Sequence, residues 1–179
     1  LGNGYLREKA LDDRIGCAIM IDMLNKDLPY DVTCVFTVQE EIGTRGAKVA
    51  AYTVKPDYAI VLETTTACDF SGNDGEKRVC ELGKGCVVSY MDRGTIYDRE
   101  LYHLGFEKAK KIGVPCQTKT LVAGGNDSGA IHTSVGGIRT VALSVPCRYL
   151  HSPSCMIKKS DVQSTATLAY AMYLALAEK

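Results

Sequence analysis

The stretch Val35-Phe36-Thr37-Val38-Gln39-Glu40-Glu41-Ile42-Gly43 constrains this chain more than any other. An apolar, β-branched run stops at two adjacent carboxylates, and a glycine follows shortly after. Short apolar runs bounded by turn signals read as buried strands. In open α/β sheets, ligand and catalytic groups stand just past the carboxyl ends of such strands. Neighbouring side chains there point in different directions, so Glu40 and Glu41 can do different work. The pair also has a plainer explanation, as acidic residues opening the next helix and complementing its macrodipole. Taken in isolation, the plainer explanation is the better one.

The rest of the chain alternates strands with helices. The pattern predicts strands over 31–38, 58–62, 86–91, 117–122 and 139–145. It predicts helices over 17–24, 43–52 and 98–112, and one from Asp161 to the C-terminus. Asp12 and Asp13 stand before the first helix as candidate caps, Gly113 follows the third as a C-cap, and Asp161 is expected to N-cap the last. Residues 71–78 read as a surface loop. Residues 123–129 read as a flexible loop opening a short helix through His132. This order argues an α/β fold: a central, largely parallel or mixed sheet flanked by helices in three layers. The 179 residues fit a single domain over 1–179, with no internal repeat or linker.

Composition excludes several classes. Lys+Arg and Asp+Glu both number 21, so no basic footprint for nucleic acid or a membrane surface is present. No apolar run approaches the ~20 residues of a membrane span. The eight cysteines are scattered, without a C-x-x-C pair, and several sit in apolar strand-like contexts. They read as small buried hydrophobes in a reducing cytoplasm rather than as a disulfide framework. Leu1-Gly2-Asn3-Gly4-Tyr5 reads as the middle of something, so an N-terminal portion is expected to be missing.

Polar residues gather where the predicted elements end. Asp12 and Asp13 precede a helix, Glu40 and Glu41 end one strand, Glu63 ends another, and His151 follows a third. Carboxylates with an imidazole suit Zn2+, Mn2+ or Co2+. Two such metals ~3.5–4 Å apart need a bridging carboxylate and terminal ligands, and they bring the pKa of water towards ~7. A free carboxylate beside them can take the proton and hand it to a leaving amine. Singly, Asp12 reads as a helix cap, Glu63 as a strand end in solvent and His151 as a loop histidine. His103 reads as surface, and His132 stays open between helix packing and a site. The loop around Gly125, Asn126 and Asp127 is a candidate pocket wall, because its backbone can come close to a ligand. It reads equally well as a helix-opening turn capped by Asp127 or Ser128. Arg148 and Arg93 are the cations available to an acidic substrate side chain.

Four ordered motifs carry a resemblance. Ala-Leu-Asp-Asp-Arg-Ile-Gly at 10–16, Thr-Val-Gln-Glu-Glu-Ile-Gly at 37–43, Gly-Gly-Asn-Asp-Ser-Gly-Ala at 124–130 and Arg-Tyr-Leu-His-Ser-Pro at 148–153 resemble the M42 family of metallo-aminopeptidases. The likeness covers essentially the whole chain. It implies a zinc-exopeptidase-like fold, a peptide substrate and a site for two divalent metal ions, Zn2+ or Co2+. It implies that Asp12 bridges both metals, with a cis bond between Asp12 and Asp13. It further implies that Glu40 is the general base, Glu41 a terminal ligand, Glu63 a ligand of the other metal and His151 the second metal's histidine. Family members often carry Asp where Glu63 stands.

Two features depart from the family pattern. No His-x-Asp motif precedes the Asp-Asp pair, and all three histidines lie downstream of Glu63. The small β domain that the family inserts between those motifs is also missing. The resemblance therefore implies the C-terminal part of a catalytic domain, holding both metals, one or none. It implies a homo-oligomer for the full-length protein, since relatives form tetrahedral dodecamers. The alternatives are a catalytically silent fragment or assembly subunit, another amidohydrolase or deacylase, and a glucanase, a label some relatives carry. A glycosidase needs a carboxylate pair but no histidine ligand.

Overall fold

The computed structural model describes residues 2–73 and 75–179. In chain order the elements are β1 (Tyr5–Glu8), α1 (Leu11–Leu24), α2 (Arg45–Val54), β2 (Tyr58–Thr66), β3 (Cys86–Val88), α3 (Arg99–Ile112), β4 (Cys116–Thr118), α4 (Ser128–Ile131), β5 (Arg139–Cys147), β6 (Cys155–Lys158) and α5 (Lys159–Ala177). A mixed sheet runs in the order β2-β5-β3-β4. β5 lies parallel to β2, from Tyr58 opposite Arg139 to Thr66 opposite Cys147, and antiparallel to β3.

β5 forms because Val141, Leu143 and Val145 fit a pleated surface that is covered on both sides. Those three and Cys147 pack with Leu101 of α3, Ile19 and Met23 of α1, and Leu168 and Met172 of α5. Ala142 points the other way, to Val61, Tyr97 and Ile131. Helices α1, α3 and α5 therefore cover one face, and the short α4 with the 92–97 segment covers the other. In α3 the stripe Leu101, Gly105, Ala109 is buried at helical spacing. Asp98 caps that helix by accepting from Leu101 N–H at 3.0 Å, and Gly113 closes it at φ 69°.

A second, two-stranded sheet positions the chemistry. β6 pairs antiparallel with β1, Tyr5 opposite Lys158 and Glu8 opposite Cys155. Arg148 and Met156 exchange backbone hydrogen bonds of 2.9 and 3.0 Å, joining β6 to the end of β5. The chain leaving β1 and the loop leaving β5 are thereby brought together.

Three predicted features came out differently. Residues 31–38 are extended but join no ladder, and Val32, Val35, Phe36 and Val38 are exposed. A β-branched run favours a strand only where a neighbour can accept its hydrogen bonds, and no described strand lies alongside. The outer edge of β2 is likewise unpaired. Asp161 does not cap α5. It is fully buried and accepts Gly83 N–H at 2.7 Å and Gly85 N–H at 3.0 Å, pinning a turn before β3. β4 spans only 116–118, because the chain beyond it turns towards loop 123–127.

Candidate metal centre

Asp12 and Asp13 open α1 with non-helical backbone angles, and the peptide bond between them is cis. Asp13 Oδ1 accepts the Gly16 N–H at 3.0 Å. A Cβ at residue 16 would overlap that carboxylate, so the turn requires glycine there. Glu40 and Glu41 sit in the turn after Val38. The Glu40 carbonyl accepts Gly43 N–H at 3.0 Å and Thr44 N–H at 2.9 Å, and Val38 accepts Gly46 N–H at 3.0 Å. A Cβ at Gly46 would stand 2.6 Å from the Val38 backbone. Only glycine lets α2 approach so closely.

Two ligand clusters result. Asp12, Glu41 and His151 present oxygen and nitrogen atoms that all lie within 4.8 Å of one another, and so do Asp12, Asp13 and Glu63. Asp12 belongs to both. His151 Nε2 is 3.1 Å from Asp12 Oδ2 and 3.3 Å from Glu41 Oε2. Glu40 belongs to neither cluster.

The electrostatics are those of crowded carboxylates. Glu63 is 8% exposed, and among the described residues its side chain has no hydrogen bond and no ion pair. Burial, then the negative charges of Asp13 and Asp12, pushes its carboxyl up to about 10. Burial likewise raises Asp13 to about 8, against the Gly16 hydrogen bond. Glu40 rises to about 7, through burial and then the charges of Asp127, Glu41 and Asp12, with His151 opposing. No Lys or Arg among the described residues pairs with Asp12, Asp13 or Glu63. A buried carboxylate without donor or cation is costly unless a cation compensates it. The oxygen and imidazole set fits divalent metals.

A cavity of about 1360 Å3 opens onto these groups, lined by Asp12, Asp13, Glu40, Glu41, Glu63, Asp127 and apolar side chains of 31–37, α2 and β2. Asp127 is buried. Its Oδ2 accepts the Thr37 hydroxyl at 2.6 Å, and its Oδ1 has no donor. It does not cap α4 with its side chain.

The other predicted pocket residues lie elsewhere. Asn126 accepts Ser128 N–H at 2.8 Å and donates to Tyr97 at 3.1 Å, and Tyr97 donates to Asp92 at 2.6 Å. Neither Gly125 nor Asn126 lines the cavity. Arg148 also stays outside it, in a bidentate pair with Asp69 at 2.6 and 3.0 Å. That pair holds the Asp69 carboxyl below its ordinary value despite burial. His103 and His132 join no cluster. Sequence reasoning missed Thr37 and took Asp13 only as a helix cap. The adjacency of two aspartates before one helix was the available signal for Asp13.

This arrangement of fold and site is that of the M42 glutamyl aminopeptidases. The family model of that description matches residues 1–168, and the chain belongs to this family. The lysyl aminopeptidase of Pyrococcus furiosus is 37% identical over 165 residues, covering 90% of this chain and 46% of the relative. The solved aminopeptidase of the archaeon Desulfurococcus kamchatkensis superposes with a TM-score of 0.91 at 32% identity, over 96% of this chain and 49% of the other. The TET1 peptidase of Pyrococcus horikoshii, described as assembling into a tetrahedron or an octahedral shell, gives 0.81 at 32% identity, over 99% and 51%. The chain therefore spans about half the length of the relatives it matches.

Proposed function

We propose that this chain belongs to a metal-dependent aminopeptidase, releasing N-terminal residues from peptides with two divalent cations, Zn2+ or Co2+. The observation that carries the reading is the membership of Asp12 in both ligand clusters. A shared carboxylate is what two closely spaced metals require. Asp12, Glu41 and His151 would hold one cation, and Asp12 with Glu63 the other. When bound, the pair would lower the pKa of water and polarise the peptide carbonyl.

The chain's own residues do the remainder. Glu40, free of both clusters and poised near neutrality, accepts the proton of the attacking water and returns it to the leaving amine. Asp127, fixed by Thr37, offers a negative charge to the substrate's terminal ammonium. The cavity walls from 31–37 and α2 receive apolar parts of the peptide. The absence of a His-x-Asp motif from the sequence leaves the Glu63 position with a thinner ligand set than the His151 position.

The setting is proposed as a homo-oligomer in the cytoplasm. Relatives that assemble into shells and eight free thiols support it. No helix among the described residues is long and apolar enough to cross a membrane.

A second reading has an observation in its favour. The unpaired 31–38 segment and the open β2 edge fit a chain that keeps the fold without turning over substrate. Hydrolysis of aminoacyl-p-nitroanilides, with metal analysis of the same sample, separates the two. Turnover abolished by chelator and restored by Zn2+ or Co2+ is expected on the first reading. Bound metal without turnover selects the second, and chelator-resistant turnover overturns the metal mechanism.

A further inference from the structure

We propose that the two cation positions differ in kind: Asp13 completes an oxygen-only set with Asp12 and Glu63 for a hard divalent cation such as Mn2+, while Asp12, Glu41 and His151 take Zn2+ or Co2+. The inference rests on the dinuclear reading above. It adds a ligand and a distinct preference for each position.

Three observations carry it. First, Asp13 lies with Asp12 and Glu63 within 4.8 Å, ligand atom to ligand atom, as closely as His151 lies with its own cluster. Second, Glu63 is 8% exposed, lines the cavity and has no described partner, so its carboxylate awaits a positive charge. Third, the Gly16 N–H holds Asp13 Oδ1 at 3.0 Å and so orients the whole carboxyl. One such bond leaves lone pairs free on a carboxylate.

Ligand chemistry supplies the preference. Carboxylate-only sets suit hard cations, and imidazole suits Zn2+ and Co2+. Zn2+ exceeds Mn2+ in raw affinity at almost any site, so the claim concerns the gap between them. That gap is narrower where no nitrogen ligand is present. The surroundings point the same way. His151 and Glu41 side chains are 64% and 57% exposed, so their cation keeps water beside it. The Glu63 position is buried, and a cation there is neutralised by three carboxylates.

The test is uptake of metal by this chain, independent of turnover. The protein is dialysed against Zn2+ and Mn2+ together, with zinc counted by mass spectrometry and bound Mn2+ by electron paramagnetic resonance. One zinc and one manganese per chain are expected. Asp13→Asn keeps an oxygen for Gly16 and should weaken Mn2+ roughly tenfold or more while leaving zinc in place. His151→Ala should do the reverse. Circular dichroism checks that each variant folds, and Glu63→Gln replaces Asp13→Asn if that variant does not. Two zinc ions with no manganese, or Mn2+ affinity unchanged in folded Asp13→Asn and Glu63→Gln, overturns the proposal and leaves the dinuclear reading standing. A folded wild-type chain that takes up neither cation overturns both.

Discussion

His151 Nε2 stands 3.1 Å from Asp12 Oδ2, although 139 positions separate the two residues in the chain. Neither belongs to the central sheet. The contact is made by the small β1–β6 sheet, which brings the exit of one strand against the loop that follows another.

Removing the His151 side chain therefore tests the site with little cost to the fold. His151→Ala deletes an exposed ring that packs against nothing in the core. Metal-free stability should change by less than about 0.5 kcal/mol. The rise in melting temperature that Zn2+ gives the wild type should largely vanish. Thermal melts with and without Zn2+ read both quantities.

Glu40 and Glu41 should separate in a metal assay. Glu40→Gln removes the proton acceptor and should lower kcat by about 10²- to 10⁴-fold, with metal content nearly intact. Glu41→Gln should lose the cation shared with His151. Equal loss of metal in both variants would refute the division of roles.

The raised carboxyls fix the sign of a pH effect. Glu63 at about 10 and Asp13 at about 8 hold protons in the folded chain that the unfolded chain, titrating near ~4, has released. The contribution is fully present below the unfolded values and is lost as pH rises through the folded ones. Metal-free protein should therefore melt at progressively lower temperature from pH 5 to pH 9. Bound cations keep these carboxylates ionised, so the stabilisation by metal should be larger at pH 8 than at pH 6. Melting curves with and without chelator across that range decide it.

Gly46 is a packing requirement of the Glu40–Glu41 turn. Gly46→Ala drives a methyl group into the Val38 backbone, and overpacking of this sort costs about 1–3 kcal/mol. Chemical denaturation should show the loss. Zn2+ affinity should fall with it, because relief requires the turn carrying Glu41 to move.

Much of this was legible beforehand. The α/β order, α3 with Asp98 at one end and Gly113 at the other, and the gathering of Asp12, Glu41, Glu63 and His151 all follow from local pattern and motif order. What local pattern cannot report is the neighbour. Residues 31–38 have strand chemistry but no ladder. Asp161 has the spacing of a cap but serves two amides on a distant turn, and Arg148 has the charge for a pocket but meets Asp69. β6 was missed because its apolar positions are few. It owes its existence to pairing with β1 on one side and Arg148 on the other.

The free edge of β2 also shapes how the chain behaves in concentrated solution. Its backbone amides and carbonyls face outward beside Tyr58-Ala59-Ile60-Val61-Leu62, an aliphatic, uncharged sequence. Such a segment is a template for cross-strand growth from chain to chain, and only Lys55, Pro56 and Asp57 act as gatekeepers at its entrance. Purity and shelf life will therefore be governed by whatever shields that edge, more than by the melting point of the core.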